Sequence, residues 1–219
     1  MKKVDIDKVV SLLKKETAKK GMTIPIVTEI SWTKSPFKVL ISTMLSLRTK
    51  DAVTASASNR LFSVAGTAEK LAALPVKKIE ELIYPVGFYK TKAPKIKEAS
   101  RRIIDEYKGK VPDEIDELLK FDGVGRKTAN LVVTLGYGKL GVCVDTHVHR
   151  ISNRLGYVKT KSPDETEMAL RKRLPKKHWI IYNDLLVTWG QNVCVPISPW
   201  CSRCVINKWC NRVGVERSR

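Results

Sequence analysis

Acidic residues are scarce in this chain. Its 219 residues hold 22 Asp and Glu against 41 Lys and Arg, a formal net charge of +19. That deficit points to a polyanionic partner, with nucleic acid ahead of an acidic membrane surface. Long Lys/Arg blocks are also missing, so the charge belongs to a folded surface and not to a disordered tail. No apolar run reaches the roughly 18 residues of a membrane span. The charged segment Met1–Val10 lacks the apolar core of a secretory signal. The expected setting is intracellular: cytoplasm or nucleoid in a prokaryote, nucleus in a eukaryote, with no membrane association. Low-complexity segments and flexible linkers are absent, so two domains would pack closely or share discontinuous chain. Period-2 alternation between hairpin turns is missing as well, which sets the fold class as all-α. The one ambiguous stretch, Leu131–Val144, is rich in Val and Gly and reads as a helix end, a Gly136/Gly138 turn and an apolar connection.

Cysteine is rare except in one place. Cys194, Cys201, Cys204 and Cys210 fall within 17 residues, spaced C-x6-C-x2-C-x5-C, and only Cys143 lies elsewhere. Cys143 stands in an apolar run and reads as a buried small hydrophobe. In an intracellular chain the thiols stay reduced, so a metal centre is a better reading than disulfides. Zinc in an all-cysteine site usually takes two close pairs separated by a longer loop. Here there is one close pair flanked by single cysteines, which suits a cluster wrapped from several sides, such as [4Fe–4S] with four thiolates. Spacing alone leaves zinc open.

Helical patterns run nearly throughout. Asp7 is placed to cap a first helix, and Ser35-Pro36 reads as N-cap and first helical residue before the apolar run Phe37–Leu47. Asp51 is expected to cap the next helix and Thr67 a short one after it. Further patterns span Val76–Ile83 and Ala93–Tyr107. Ser162-Pro163-Asp164-Glu165 is a capping box, and an amphipathic helix is expected over Lys176–Trp189.

In Phe121-Asp122-Gly123-Val124-Gly125-Arg126-Lys127 an apolar helix ends, two glycines flank Val124, and a new helix begins. Glycines allow the tight turn and clear side chains from the backbone amides. A helix start leaves its first N–H groups without intrahelical partners. Together these make a phosphate seat that reads no base, with Val124 turned inward to pin the loop and Arg126 and Lys127 adding charge. An ordinary interhelical turn is the bland alternative. In Val144-Asp145-Thr146-His147-Val148-His149-Arg150, Asp145 sits where a helix begins. It is an N-cap, and its carboxylate gains from the helix dipole. His147 and His149 lie two apart and point different ways, so they are no metal pair; one packs and the other, His147 in our assignment, lies near DNA.

These three segments occur in one order, with Met44-Leu45-Ser46 and Asp51, and with Gly87-Phe88-Tyr89-Lys90 and Lys92-Ala93. The set resembles the endonuclease III family of DNA glycosylases, in the helix-hairpin-helix superfamily, over almost the whole chain. The resemblance implies a two-domain helix-hairpin-helix DNA glycosylase fold with a C-terminal [4Fe–4S] cluster loop. One domain would be a helical barrel over residues 23–139; the other, carrying the cluster on the four cysteines, would join 1–22 to 140–219, with the DNA cleft between. It implies a monomer acting on double-stranded DNA with damaged bases or abasic sites.

By the same resemblance Lys127 matches the nucleophilic lysine and Asp145 the catalytic aspartate. Attack by an amine needs its neutral form, which desolvation and cations such as Arg126 favour. Phe88 and Arg48 resemble the wedge and gap-filling positions, where the familiar bacterial pattern has leucine and glutamine. Gly123, Val124, Gly125, Arg126 and His147 complete the expected DNA contacts. The Val195–Trp200 loop departs from relatives that carry basic residues there; Arg203 and Lys208 are placed to supply that charge. The cluster reads as structural. The activity implied is removal of oxidised pyrimidines of the thymine glycol type and strand nicking by β-elimination through a Lys127 Schiff base. Three rivals stand beside it. A monofunctional mismatch glycosylase would replace the lysine with serine or tyrosine. A non-catalytic helix-hairpin-helix binder would need neither Lys127 nor Asp145. A zinc-binding nucleic-acid module would be colourless.

Overall fold

The computed structural model describes residues 2–19, 22, 26–31 and 33–219. Among these the regular structure is helical, with no strand. Twelve α-helices follow one another: α1 (Ile6–Thr17), α2 (Ile26–Ser31), α3 (Pro36–Ser46), α4 (Asp51–Val64), α5 (Ala68–Ala73), α6 (Val76–Ile83), α7 (Tyr89–Asp105), α8 (Ile115–Leu118), α9 (Arg126–Leu131), α10 (Thr146–Leu155), α11 (Pro163–Arg173) and α12 (Trp179–Asn192). The all-α expectation holds. The chain divides into two compact units, Ile26–Lys139 and a discontinuous one made of Met1–Pro25 with Leu140–Arg219. The expected boundary between residues 22 and 23 falls where Thr23 lies outside the described residues.

In the continuous unit, α3 is the central helix. Its residues Val39, Leu40, Ile41 and Leu45 are fully buried, and α2, α4, α7 and α9 all pack on it. Ser35 caps it through Lys38 N, with Pro36 at the first position, as expected. Leu131–Val144 follows the expected course: α9 runs into one turn of π-helix, Val132–Gly136, and then into irregular chain. Gly136 is needed there because a Cβ would stand 3.1 Å from Pro36 Cα.

In the discontinuous unit, α12 is the central helix. Tyr182 and Trp189 are fully buried on it, and α1 and α10 pack against it. Burying α1 on α12 ties the two ends of the chain into one core, with Val9, Val10 and Leu13 against Leu186 and Trp189. At roughly 25 cal/mol per Å2 of apolar surface, each such side chain contributes about 1.5–3 kcal/mol.

Four local expectations are corrected. Asp5, not Asp7, caps α1 through Lys8 N. Asp7 is drawn to the start of α12, where it pairs with Lys177 at 2.8 Å and His178 at 2.5 Å. Asp51 is the first residue of α4 and Lys50 its N-cap; a carboxylate there acts through the helix dipole instead of a cap bond. The helix expected from Ala93 is α7, which starts at Tyr89 and tolerates Pro94 in its second turn. The helix expected over Lys176–Trp189 is a 3-10 turn followed by α12, and it is buried on most sides instead of amphipathic, because helices cover it on more than one face. The capping box at Ser162 forms: its hydroxyl accepts from Glu165 N, and Glu165 reaches back to Lys161 N.

Candidate active site and cysteine-lined cavity

The glycine hairpin lies in the continuous unit. Gly123 takes φ +82°, a conformation that favours glycine. Val124 turns inward at 7% exposure, and its N–H closes on the Phe121 carbonyl at 3.1 Å. Gly125 is the N-cap of α9 and brings no side chain to cap it. A Cβ there would meet nothing within 4 Å, so the space before the helix start is open. Arg126 and Lys127 are the first two residues of α9, both half-buried. Leu118, Phe121 and Val132 below them are buried, which seats the hairpin on the core.

The same unit brings Arg48, Phe88 and Gly123 to the wall of one cavity of about 340 Å3, together with Met44, Leu47 and Lys95. Arg48 follows the C-terminal end of α3, and Phe88 precedes α7. Both adopt left-handed backbone, φ +53° and +59°. For residues with a Cβ this costs about 1–2 kcal/mol each, so packing around the two turns must impose it. The Arg48 guanidinium lies 5.8 Å from the centre of the Phe88 ring, and the ring is 62% exposed. Gly87 makes the turns' close approach possible, since a Cβ on it would fall 2.6 Å from the Arg48 carbonyl.

The discontinuous unit holds Asp145, the N-cap of α10. Its Oδ1 accepts from His147 N and Val148 N, both at 2.9 Å. Both bonds fall on one oxygen, which leaves Oδ2 outside the cap. His147 is half-buried; its Nδ1 pairs with Arg150 Nη2 at 3.1 Å, and it leaves no room for a side chain at Gly190. His149 is held by Thr166 and Asn153. Both histidines are thus engaged within their own unit, and Cys143 is buried as expected.

All four clustered cysteines are free thiols, and they line one cavity walled by Ile151, Leu155, Trp189 and Ile206. Among the described residues, no group of three or more His, Cys, Asp or Glu side chains is placed to hold a metal ion. Burial pushes the Cys204 thiol up to about 11 and raises Cys210 as well. Four thiols around one apolar cavity match in number and kind the donors that a four-thiolate cluster takes, and iron bound there would offset the cost of the buried thiolates.

Two arginines that sequence reading missed hold the first part of this loop. Arg150 donates to the carbonyls of Gly190 and Cys194, and burial lowers its basicity. Arg154 donates to Cys194 Sγ at 3.5 Å and to the carbonyls of Val195 and Pro196 at 2.8 and 2.6 Å. A signal was there, because residues 150 and 154 stand four apart on α10 and share a face. Arg203 and Arg219 lie over the Trp200 ring at 4.3 and 3.9 Å. Lys208 lies over Trp209.

A family profile described as HhH-GPD superfamily base excision DNA repair protein matches residues 41–176. Endonuclease III of Thermotoga maritima is 49% identical over 80% of this chain and 82% of its own length. Endonuclease III of Bacillus subtilis is 37% identical over 84% of each. The chloroplastic endonuclease III homolog 1 of Arabidopsis thaliana is 43% identical, and the chain spans only 52% of it. Among solved structures, a non-covalent endonuclease III–DNA complex aligns over 94% of this chain and 95% of that one, with TM-score 0.80 and 35% identity. A trapped endonuclease III–DNA covalent intermediate aligns over 81% and 84%, with TM-score 0.76 and 38% identity. No helix among the described residues is long and apolar enough to cross a membrane. On sequence and architecture together, the chain belongs to the HhH-GPD superfamily of base excision DNA repair proteins, in its endonuclease III family.

Proposed function

We propose that this protein is a DNA glycosylase and abasic-site lyase that removes oxidised pyrimidines from double-stranded DNA, with Lys127 as nucleophile and Asp145 as its acid–base partner. The observation that carries the reading is a lysine at the second position of α9, directly after an open glycine turn, in a chain 38% identical to an enzyme trapped covalently on DNA. The net charge of +19 and the uncapped helix start suit a phosphate backbone.

The Lys127 amine attacks the sugar C1′, the bond from C1′ to the base breaks, and the base leaves with that electron pair. The proton lost from nitrogen passes to the Asp145 carboxylate, whose charge also stabilises the positive sugar in the transition state. The sugar ring opens to an imine on Lys127. Loss of a C2′ proton then expels the 3′ phosphate, and water hydrolyses the imine to release the enzyme. Arg48 and Phe88 occupy the vacated stack, offsetting part of the few kcal/mol, roughly, that extrusion costs. Their position on one cavity wall supports that role.

Cys194, Cys201, Cys204 and Cys210 are the ligands we assign to a [4Fe–4S] cluster. With four thiolates bound, the cluster would supply no open coordination site and would act by ordering the loop that follows α12. Arg150 and Arg154 hold the carbonyls of that loop from α10.

Borohydride trapping on a duplex with one thymine glycol tests the reading, with wild type and Lys127→Gln side by side. Wild type is expected to be trapped and to nick; the variant is expected to do neither. Release of the base without trapping or nicking would make the enzyme monofunctional. No action on this lesion, with trapping on an abasic duplex, would overturn the lesion class alone.

A further inference from the structure

One ammonium ties the turn carrying Arg48 to the turn carrying Phe88. Lys92, in the first turn of α7, donates to the Leu45 carbonyl at 2.7 Å, the Leu47 carbonyl at 2.6 Å and the Thr49 hydroxyl at 3.3 Å. An ammonium has three donors, and here each has an acceptor. The carbonyls belong to the end of α3 and its cap, where intrahelical partners run out and the helix dipole is negative. The Thr49 hydroxyl also accepts from Gly87 N at 3.2 Å. Gly87 precedes Phe88 and has no room for a side chain against the Arg48 carbonyl. A continuous strut therefore runs from Lys92 through Thr49 to Gly87, binding both sides of the cavity mouth. Burial pushes Lys92 down to about 8, while its three acceptors and the helix end favour the charged form.

Each of the two turns it joins carries a strained residue. Positive φ at Arg48 and Phe88 persists only where surroundings over-determine it. Lys92 contributes to that determination: without it, the end of α3 loses its charged donor to the Leu45 and Leu47 carbonyls, and the Arg48 turn is freer to relax toward ordinary backbone.

We propose that Lys92, acting through Thr49 and Gly87, is a positioning residue for base extrusion: it holds Arg48 and Phe88 poised to enter the stack. The inference rests on the proposed roles of those two residues and assigns Lys92 no contact with a reacting atom.

The test compares two substrates: a thymine glycol duplex, where a paired base must be extruded, and a duplex with a preformed abasic site, where none must. Lys92→Met removes the strut. Thr49→Val removes the bridge, together with the hydroxyl's own bond to the Leu47 carbonyl at 3.3 Å, and leaves the bonds from Lys92 to the two carbonyls. In Lys92→Met, kcat/KM for excision is expected to fall about tenfold or more, while borohydride trapping on the abasic duplex falls less than about threefold. Thr49→Val is expected to show the same split with smaller amplitude, and it decides the matter if Lys92→Met does not fold. The fluorescence rise of 2-aminopurine placed beside the lesion should shrink in parallel with excision. Equal losses on both duplexes, or no loss on either, would overturn the inference. A wild type inactive on both duplexes would overturn the underlying reading and the inference with it. That outcome is distinct from an active wild type matched by its variants.

Discussion

Asp145 carries a helix cap and, in the proposed mechanism, a catalytic carboxylate, and a single substitution separates the two. Its Oδ1 caps α10 through two backbone N–H groups. Asparagine caps a helix about as well as aspartate. Asp145→Asn is therefore expected to keep stability within about 0.5 kcal/mol in denaturant unfolding, while excision falls about a hundredfold or more, the usual scale of a lost acid–base group. Full activity in that variant would remove the carboxylate from the mechanism. Gly190 offers a packing test at the same scale. A Cβ there would lie 2.4 Å from His147 Nδ1 and 3.0 Å from Arg150 Nη2. Gly190→Ala is expected to destabilise by about 1–3 kcal/mol, the cost of overpacking. Wild-type stability in a denaturant melt would mean that the His147 ring moves aside freely.

Between helices, long-range polar ties do what apolar packing alone does not: they set the position of chain that has no regular structure. The segment after α12 takes its course from Arg154, whose guanidinium holds the Val195 and Pro196 carbonyls. Arg154→Ala is expected to cost about 1–3 kcal/mol, because it leaves acceptors without their charged donor. Faster amide exchange over residues 195–200 would report the loosened loop, and unchanged exchange would sink the clamp. Asp7 joins α1 to the start of α12 in a similar way. The bond from Lys177, and then that from His178, hold its carboxyl below the ordinary value near 3.8. A carboxyl lowered on folding adds stability above its ordinary value and loses it as pH falls through the folded one. Wild type should therefore melt above Asp7→Asn at pH 6, and the two curves should converge below about pH 3. The gap will be small, since the pair faces solvent.

At the scale of the whole molecule, charge governs the encounter with DNA. With a net +19, binding should weaken steeply with salt, the logarithm of the association constant falling by roughly 0.9 per phosphate neutralised against the logarithm of salt. A titration from low to moderate salt that gave a flat response would remove the phosphate seat. The arrangement of the chain is also a property at this scale: α1 completes a core whose remaining helices lie beyond residue 139, so removing α1 would expose the apolar face of α12.

The sequence by itself determined the all-α class, the caps at Ser35, Thr67, Asp145 and Ser162, the glycine hairpin with Val124 turned inward, and membership of the endonuclease III family. The caps and the hairpin depend on residues within a few positions of one another, where backbone geometry and orphaned N–H groups act alone. Tertiary structure decided the rest. Asp7 left its expected cap because partners 170 and 171 residues away, Lys177 and His178, gave it a better use. Lys92 became a strut by reaching acceptors 43 to 47 positions back along the chain. Arg150 and Arg154 found their carbonyls some 40 positions ahead. A basic residue in a chain of net charge +19 carries no local mark that distinguishes a surface cation from a buried donor. That distinction exists only once folding has brought unsatisfied carbonyls within about 3 Å and removed the water that would otherwise have served them.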